Sequence, residues 1–250
     1  MKVFFLSLIF SLSTFALSGK ELAQKVYDRA DGDHSYSKVT MILDGKGRSV
    51  KTRKLEIYRS DDQKGLVKSL VRFSSPKKIQ GVSLLTIDLK GENESQLIYL
   101  PALKNSKRIS SSKKGGRFVQ SEIFYEDLRD RHPEQDQHKL LEDGKFMGAR
   151  DCYRLESVPI SKGNSTYAKR VSCIDKKTFI PLEVLFSNSK GLEFKRFRVQ
   201  AMKEIDSIWT VTRSEMTLLE EEKMTVLNVD KIEYNSKKAK ELRYNKNDFN

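Results

Sequence analysis

Tyr36-Ser37-Lys38-Val39-Thr40-Met41-Ile42-Leu43-Asp44-Gly45-Lys46-Gly47 is the stretch on which the fold turns. Val39, Met41 and Leu43 alternate with Lys38, Thr40 and Ile42, and a two-residue period of this kind marks a strand. Asp44-Gly45-Lys46-Gly47 then turns the chain, and a second strand from about Val50 to Arg59 puts Leu55 and Ile57 on one face. Together they predict a hairpin.

Working outward toward the C-terminus, Leu66 to Phe73 sets Val67, Val71 and Phe73 against Lys68 and Arg72, and Ser74-Ser75-Pro76 ends the strand. Val82 to Leu89 carries Leu85, Ile87 and Leu89 in phase, and Gln96 to Leu100 follows the turn residues Gly91-Glu92-Asn93. Lys104 to Arg117 reads as a polar, basic loop. Phe118 to Phe124 comes next, then Tyr125-Glu126-Asp127-Leu128-Arg129 as a short helix stopped before Pro133, and Arg131 to Asp143 as exposed polar chain. Strand signals resume at Lys145–Val158, Tyr167–Ile174, Ile180–Phe186, Leu192–Met202, Ile208–Leu218 and Lys223–Tyr234. About eleven strands with little helix between them predict a mainly β protein, one antiparallel meander that curls into a barrel or half-barrel as a single domain.

Toward the N-terminus, Leu22, Ala23, Val26, Tyr27 and Ala30 recur at helical spacing, so Lys20 to Ala30 reads as an amphipathic helix ended by Asp31-Gly32-Asp33. Ahead of it stand Lys2, an apolar run from Val3 to Leu17, and Ala16-Leu17-Ser18, a small-x-small pattern. These predict a signal peptide over residues 1–18, cleaved after about Ser18, in preference to a retained anchor, because the run falls short of the roughly 20 residues a spanning helix needs. The mature protein is then exported. The chain carries a formal net charge of +13, and its 38% hydrophobic share suits a sheet with one face in water. Such a surface attracts lipid headgroups, acidic proteins or nucleic acid, and export makes nucleic acid the poorest partner, so none is expected. Lys104, Lys107, Arg108, Lys113, Lys114 and Arg117 concentrate that charge in one glycine- and serine-rich stretch. Two readings stay open there: docking on a membrane or an acidic partner, or a solvated loop.

Cys152 and Cys173 flank Ser161-Lys162-Gly163-Asn164-Ser165. If that turn centres between Lys162 and Gly163, the antiparallel register sets the two cysteines opposite one another, a spacing that suits a structural disulfide; two free buried thiols are the other reading. No pattern of catalysis is present. The three histidines, His34, His132 and His138, lie in separate polar segments, H-E-x-x-H and G-x-S-x-G are missing, and Gly45-Lys46-Gly47 lacks the long loop of a phosphate cradle. Glu126 and Asp127 are neighbours that would point about 100° apart on a helix, so solvation or helix-terminal charge is their expected role. The sequence predicts no enzyme, no cofactor and no metal.

Phe73-Ser74-Ser75-Pro76, Gly81 with Leu84-Leu85, Tyr99-Leu100-Pro101-Ala102-Leu103, Arg108-Ile109-Ser110-Ser111-Ser112, Gly116-Arg117-Phe118 and Tyr125-Glu126-Asp127-Leu128 together resemble the outer-membrane lipoprotein-sorting protein family, the LolA-like group. The likeness covers about residues 35 to 130. It departs at Val119-Gln120-Ser121-Glu122-Ile123, where the family usually shows a small glycine-containing turn and an aspartate. The resemblance implies an incomplete barrel over residues 19–250 with helices on its concave apolar face, a periplasmic address, and binding of acyl chains or lipidated proteins. It also implies an inner-membrane RND-type exporter and an outer-membrane acceptor as partners, or a sensing role in the envelope. On that reading Val39, Met41, Leu43, Leu55, Ile57, Val67, Val71, Phe73, Leu85, Ile87 and Leu89 form the lipid-binding wall; equally, they pack on the N-terminal helix. A non-transporting lipid-sensing or protein-binding module is the second reading.

Overall fold

In the computed structural model, β1 (His34–Gly45) and β2 (Lys51–Asp62) form the expected hairpin, Val39 facing Leu55 and Met41 facing Arg53. The structure describes residues 17–62, 66–89, 95–242 and 244–249, so residues 1–16 of the expected leader fall outside the described residues. From the hairpin the sheet grows in two directions. On one side β3 (Leu66–Ser75), β4 (Ser83–Leu89), β5 (Ser95–Leu100) and β6 (Asn105–Arg108) follow in sequence order. On the other, β14 (Lys223–Tyr234) pairs with β1 and leads through β13 (Ile208–Leu218), β12 (Glu193–Ile205), β11 (Pro181–Ser187), β10 (Lys169–Asp175) and β9 (Arg150–Pro159) to β7 (Asp136–Leu140), while β8 (Gly144–Phe146) also pairs with β9. All pairings are antiparallel, and β6 and β7 remain as the two ends of an open sheet.

The described residues make 14 strands where the alternation predicts about eleven. The three extra strands are polar: β6 reads Asn-Ser-Lys-Arg, β7 Asp-Gln-His-Lys-Leu and β8 Gly-Lys-Phe, with no apolar phase to announce them. Short, charged strands are how sheets blunt their edges. The basic loop therefore contains β6, the polar stretch 131–143 contains β7 together with the buried Pro133 and Asp136, and Lys145–Val158 splits into β8 and β9.

The topology has a consequence for the interior. β6 and β7 lie at opposite edges, so residues 109–135 must cross the concave face between them. They do so as a strap of single 3-10 turns at Ser111–Lys113, Phe118–Gln120, Tyr125–Leu128 and Pro133–Gln135. The short helix expected at 125–129 is one of these turns. The second α-helix, α2 (Lys237–Lys240), lies instead over the convex side, where Lys238 stands 4.6 Å from the Tyr36 ring. The first, α1 (Gly19–Tyr27), starts at Ser18, whose hydroxyl accepts from the Glu21 N–H at 3.2 Å while Glu21 accepts from the Ser18 N–H at 2.8 Å. Gly19 sits so close to β7 that a Cβ there would lie 2.8 Å from the His138 carbonyl oxygen. Leu22 and Ala23 pack on Leu155 and Ile174, which puts α1 over the β7–β10 end of the concave face rather than over β1–β4.

Cys152 and Cys173 are bridged, with Cα atoms 5.4 Å apart. The register differs from the expected one: Cys152 faces Asp175 and Cys173 faces Arg154, so the bridge runs diagonally. The 3-10 turn Lys162–Asn164 moves the loop centre by one residue. With a sequence separation of 21 between its ends, this bridge should contribute about 3 kcal/mol through loop entropy. The double variant Cys152→Ala/Cys173→Ala should lose about that much in urea denaturation and keep its β-sheet circular dichroism.

Candidate functional site

The concave face divides into a filled part and an open part. In the filled part Val39, Met41, Leu43, Leu55, Val71 and Phe73, with Ile57 at their margin, form one cluster with Phe118, Ile123 and Phe124 from the strap. Phe73 and Phe118 meet with ring centroids 5.4 Å apart. Val67 is buried too. It lies four residues before Val71 and six before Phe73, two and three strand periods, hence on the same face.

The strap is fixed by buried carboxylates. Glu122 receives both terminal nitrogens of Arg48 at 2.9 and 2.8 Å and the Thr225 hydroxyl at 2.6 Å. Glu126 accepts from the Thr166 N–H at 2.5 Å and from the Ser165 hydroxyl. Asp127 accepts from the Tyr167 hydroxyl at 2.6 Å, from the Phe124 N–H at 2.6 Å and from the Lys195 ammonium. Lys195 is wholly buried; it donates to Tyr167 Oη at 2.8 Å and stands 3.5 Å above the Phe124 ring. Burial lowers the Lys195 pKa, and the Asp127 charge works against that shift; burial, then Asp127, raises that of Tyr167. Glu126 and Asp127 are thus anchors inside the molecule, where the sequence placed them at its surface.

The backbone beside these anchors is bent to fit. Val119 and Gln120 hold φ of 47° and 61°, left-handed values that cost a β-branched valine most. They fall at the segment where the family resemblance expects a glycine-containing turn.

The open part is a cavity of about 440 Å³ over β9–β14, roofed by α1 and the 126–133 stretch of the strap. Ala23, Val26, Leu128, Phe186, Phe197, Met216 and Leu227 give it oily walls. A polar group stands at one side. Asp136 accepts from Arg131 Nε at 2.9 Å and Nη2 at 2.7 Å and also pairs with Arg170. His138 meets the Pro133 carbonyl through Nε2 at 2.8 Å and Ser157 Oγ through Nδ1 at 2.9 Å. A carbonyl only accepts, so Nε2 carries a proton toward Pro133. Burial works to raise the Asp136 pKa, but the Arg131 hydrogen bond and the charges of Arg170 and Arg131 outweigh it and hold the carboxyl below its ordinary value.

An outer membrane lipoprotein-sorting protein domain from Vibrio parahaemolyticus is 33% identical in sequence and superposes with a TM-score of 0.83, over 93% of this chain and 96% of that one. The chain belongs to the outer-membrane lipoprotein-sorting, LolA-like family. A DUF1329 family protein from Desulfovibrio piger matches at 26% identity and TM-score 0.82, over 88% of this chain and 92% of its own. A LolA superfamily protein from Nitrosomonas europaea, at 16% identity and TM-score 0.69 over 88% and 95% of the two chains, shares the fold. A family of uncharacterized proteins matches residues 65–247. No curated protein matches the sequence.

Within this LolA-like frame the expected wall is only partly gathered. Leu85 and Ile87 face the other way and pack with Leu70, Tyr244 and Phe249 on the convex side, because β3 sets Leu84 beside Val71 and Leu85 beside Leu70. The side chain of Leu89 falls outside the described residues. None of the expected wall residues lines the cavity, whose floor comes from β9–β14. Of the expected docking cations, Lys104, Lys107, Arg108 and Lys113 are exposed, Lys114 is buried, and Arg117 pairs with Glu221. The signal that could have revealed Lys195 is its phase: it shares the inward face of its strand with Phe197 and Val199.

Removing one partner of a buried ion pair leaves the other charge uncompensated. Arg48→Met should therefore cost about 3–5 kcal/mol in urea denaturation, well beyond a surface arginine such as Arg213. Asp136 has a folded pKa below the ordinary 3.8, so its stabilisation is complete above that value and drains away as pH falls through it. Asp136→Asn should be destabilised at about pH 7, with the gap to the parent protein narrowing at about pH 3.

Proposed function

We propose that this protein is a periplasmic carrier that shields the acyl chains of lipids or lipidated proteins in the cavity between α1, the strap and β9–β14. The observation that carries the reading is the cavity itself: about 440 Å³ with largely apolar walls, inside an open sheet whose remaining concave surface is already filled. Ligand pockets of small molecules span about 300–1,000 Å³, and each methylene withdrawn from water contributes about 0.8 kcal/mol, so a chain of modest length gains several kcal/mol here. The Vibrio relative, named for lipoprotein sorting, supports the same substrate class. Val39, Met41, Leu43, Leu55, Ile57, Val67, Val71 and Phe73 serve this function indirectly, by seating the strap that forms one wall. Cleavage of residues 1–18 would deliver the chain to the periplasm, with an RND-type exporter as donor and an outer-membrane site as acceptor.

The test is binding. Mass spectrometry of organic extracts from the purified protein should find lipid, and a fluorescent fatty acid should be displaced by unlabelled acyl chains. Leu227→Asp or Met216→Glu, each putting a carboxylate into the cavity wall, should weaken fatty-acid binding by about tenfold or more, a loss of about 1.4 kcal/mol. Absence of lipid in the extract together with no binding of added fatty acid would remove the carrier reading.

A further inference from the structure

The antiparallel pairings fix which turns share an end of the sheet. β1, β3, β5, β9, β11 and β13 all run in one direction, so the turns after them lie on one rim. On that rim stand Val50 after β1, Leu103 after β5, Ile160 after β9 and Leu192 after β11, exposed by 59%, 59%, 62% and 56%. Among the described residues these are four of the six large apolar side chains left in water. The other two, Met147 and Trp209, precede β9 and open β13, at the opposite rim. Scattered exposed apolar residues need no explanation, but their collection at the tips of separate turns on one edge is not scatter.

The same rim is basic. Lys51 follows Val50, Lys104 follows Leu103, Lys190 precedes Leu192 by two residues, and all three are exposed. Lys77 and Lys78 join them from the turn after β3, which abuts Pro101: a Cβ on Gly81 would lie 3.0 Å from that ring. The acids of the rim are Glu193, Glu220, Glu221 and Glu222; Glu221 is engaged by Arg117 and by Lys223 at 2.9 Å, and Glu222 by Lys46 at 3.0 Å. Exposed apolar tips interleaved with lysines match the layering of a bilayer surface, anionic headgroups over acyl chains. An acidic protein would be met by the lysines but offers no general reason for apolar tips on four separate turns.

We infer that this rim is a docking surface for an anionic lipid bilayer, the lysines drawing it to the headgroups and Val50, Leu103, Ile160 and Leu192 entering the interface. The inference does not depend on what fills the cavity. It is tested by sedimentation of the purified protein with vesicles of phosphatidylcholine alone or with about a third phosphatidylglycerol. The protein should pellet with the anionic vesicles, less so at high salt, and stay in solution with the neutral ones. The combined variant Val50→Ser/Leu103→Ser/Ile160→Ser/Leu192→Ser should bind about tenfold more weakly or worse, and Met147→Ser/Trp209→Ser should bind as the parent does. Trp209 is the only tryptophan. Its emission should not change with vesicles, whereas Leu103→Trp in a Trp209→Phe background should shift to the blue. Failure to pellet with anionic vesicles at low salt, equal losses in the two serine variants, or an unshifted tryptophan at position 103 would each overturn the assignment.

Discussion

The strap between β6 and β7 is the constraint on which the rest depends. A meander that ends one arm at β6 and begins the other at β7, at the far edge, has to return across its own concave face. That crossing converts an open sheet, which alone would leave one apolar face in water, into a layered structure with a core. Phe118, Ile123 and Phe124 supply the second layer over β1–β3, and the sheet needs no complete closure to bury Val39, Met41 and Leu55. The part of the face that the strap and α1 span without filling is the cavity.

Buried charge fixes the strap's course. Glu122, Glu126 and Asp127 reach Arg48, the Ser165–Thr166 loop and Lys195, three different regions of the sheet, and each carboxylate has several donors. Burying such groups earns little net stability, yet a shifted path would strand a charge away from water, at several kcal/mol. The left-handed Val119 and Gln120 fit this account, since strained backbone persists where its surroundings over-determine it. Arg53 donates to the Val119 carbonyl and so helps hold that turn.

The alternating strands were legible because their two faces see different solvents. Where that contrast fails, so does the pattern: β6, β7 and β8 are polar edges, and Leu84-Leu85 is apolar on both sides because the C-terminal segment covers the convex face there. Reading Leu85 as inward is a one-residue slip, which moves a whole strand's side chains to the other face. The disulfide partners could be named from sequence but their register could not, since a single loop residue shifts it. The cavity was beyond reach for another reason. Its walls come from α1, the strap and seven strands, and nothing local in Ala23, Leu128 or Phe197 says that they meet.

A cavity roofed by two elements opens at the weaker one. The strap is held by its aromatic side chains and by three sets of charged hydrogen bonds, so lifting it exposes several buried carboxylates at once. The helix α1 has nine residues, too few to be stable alone, and rests on Leu22 and Ala23 with an exposed capping box at its start. Its close seat on β7 at Gly19 leaves no side chain to interlock with the strand. Opening therefore costs less at α1 than at the strap. The same reasoning separates the roles of the two coverings: one completes the core, and the other closes the cavity and is held by an apolar stripe together with the contacts of Tyr27 with His132 and of Lys25 with Phe179.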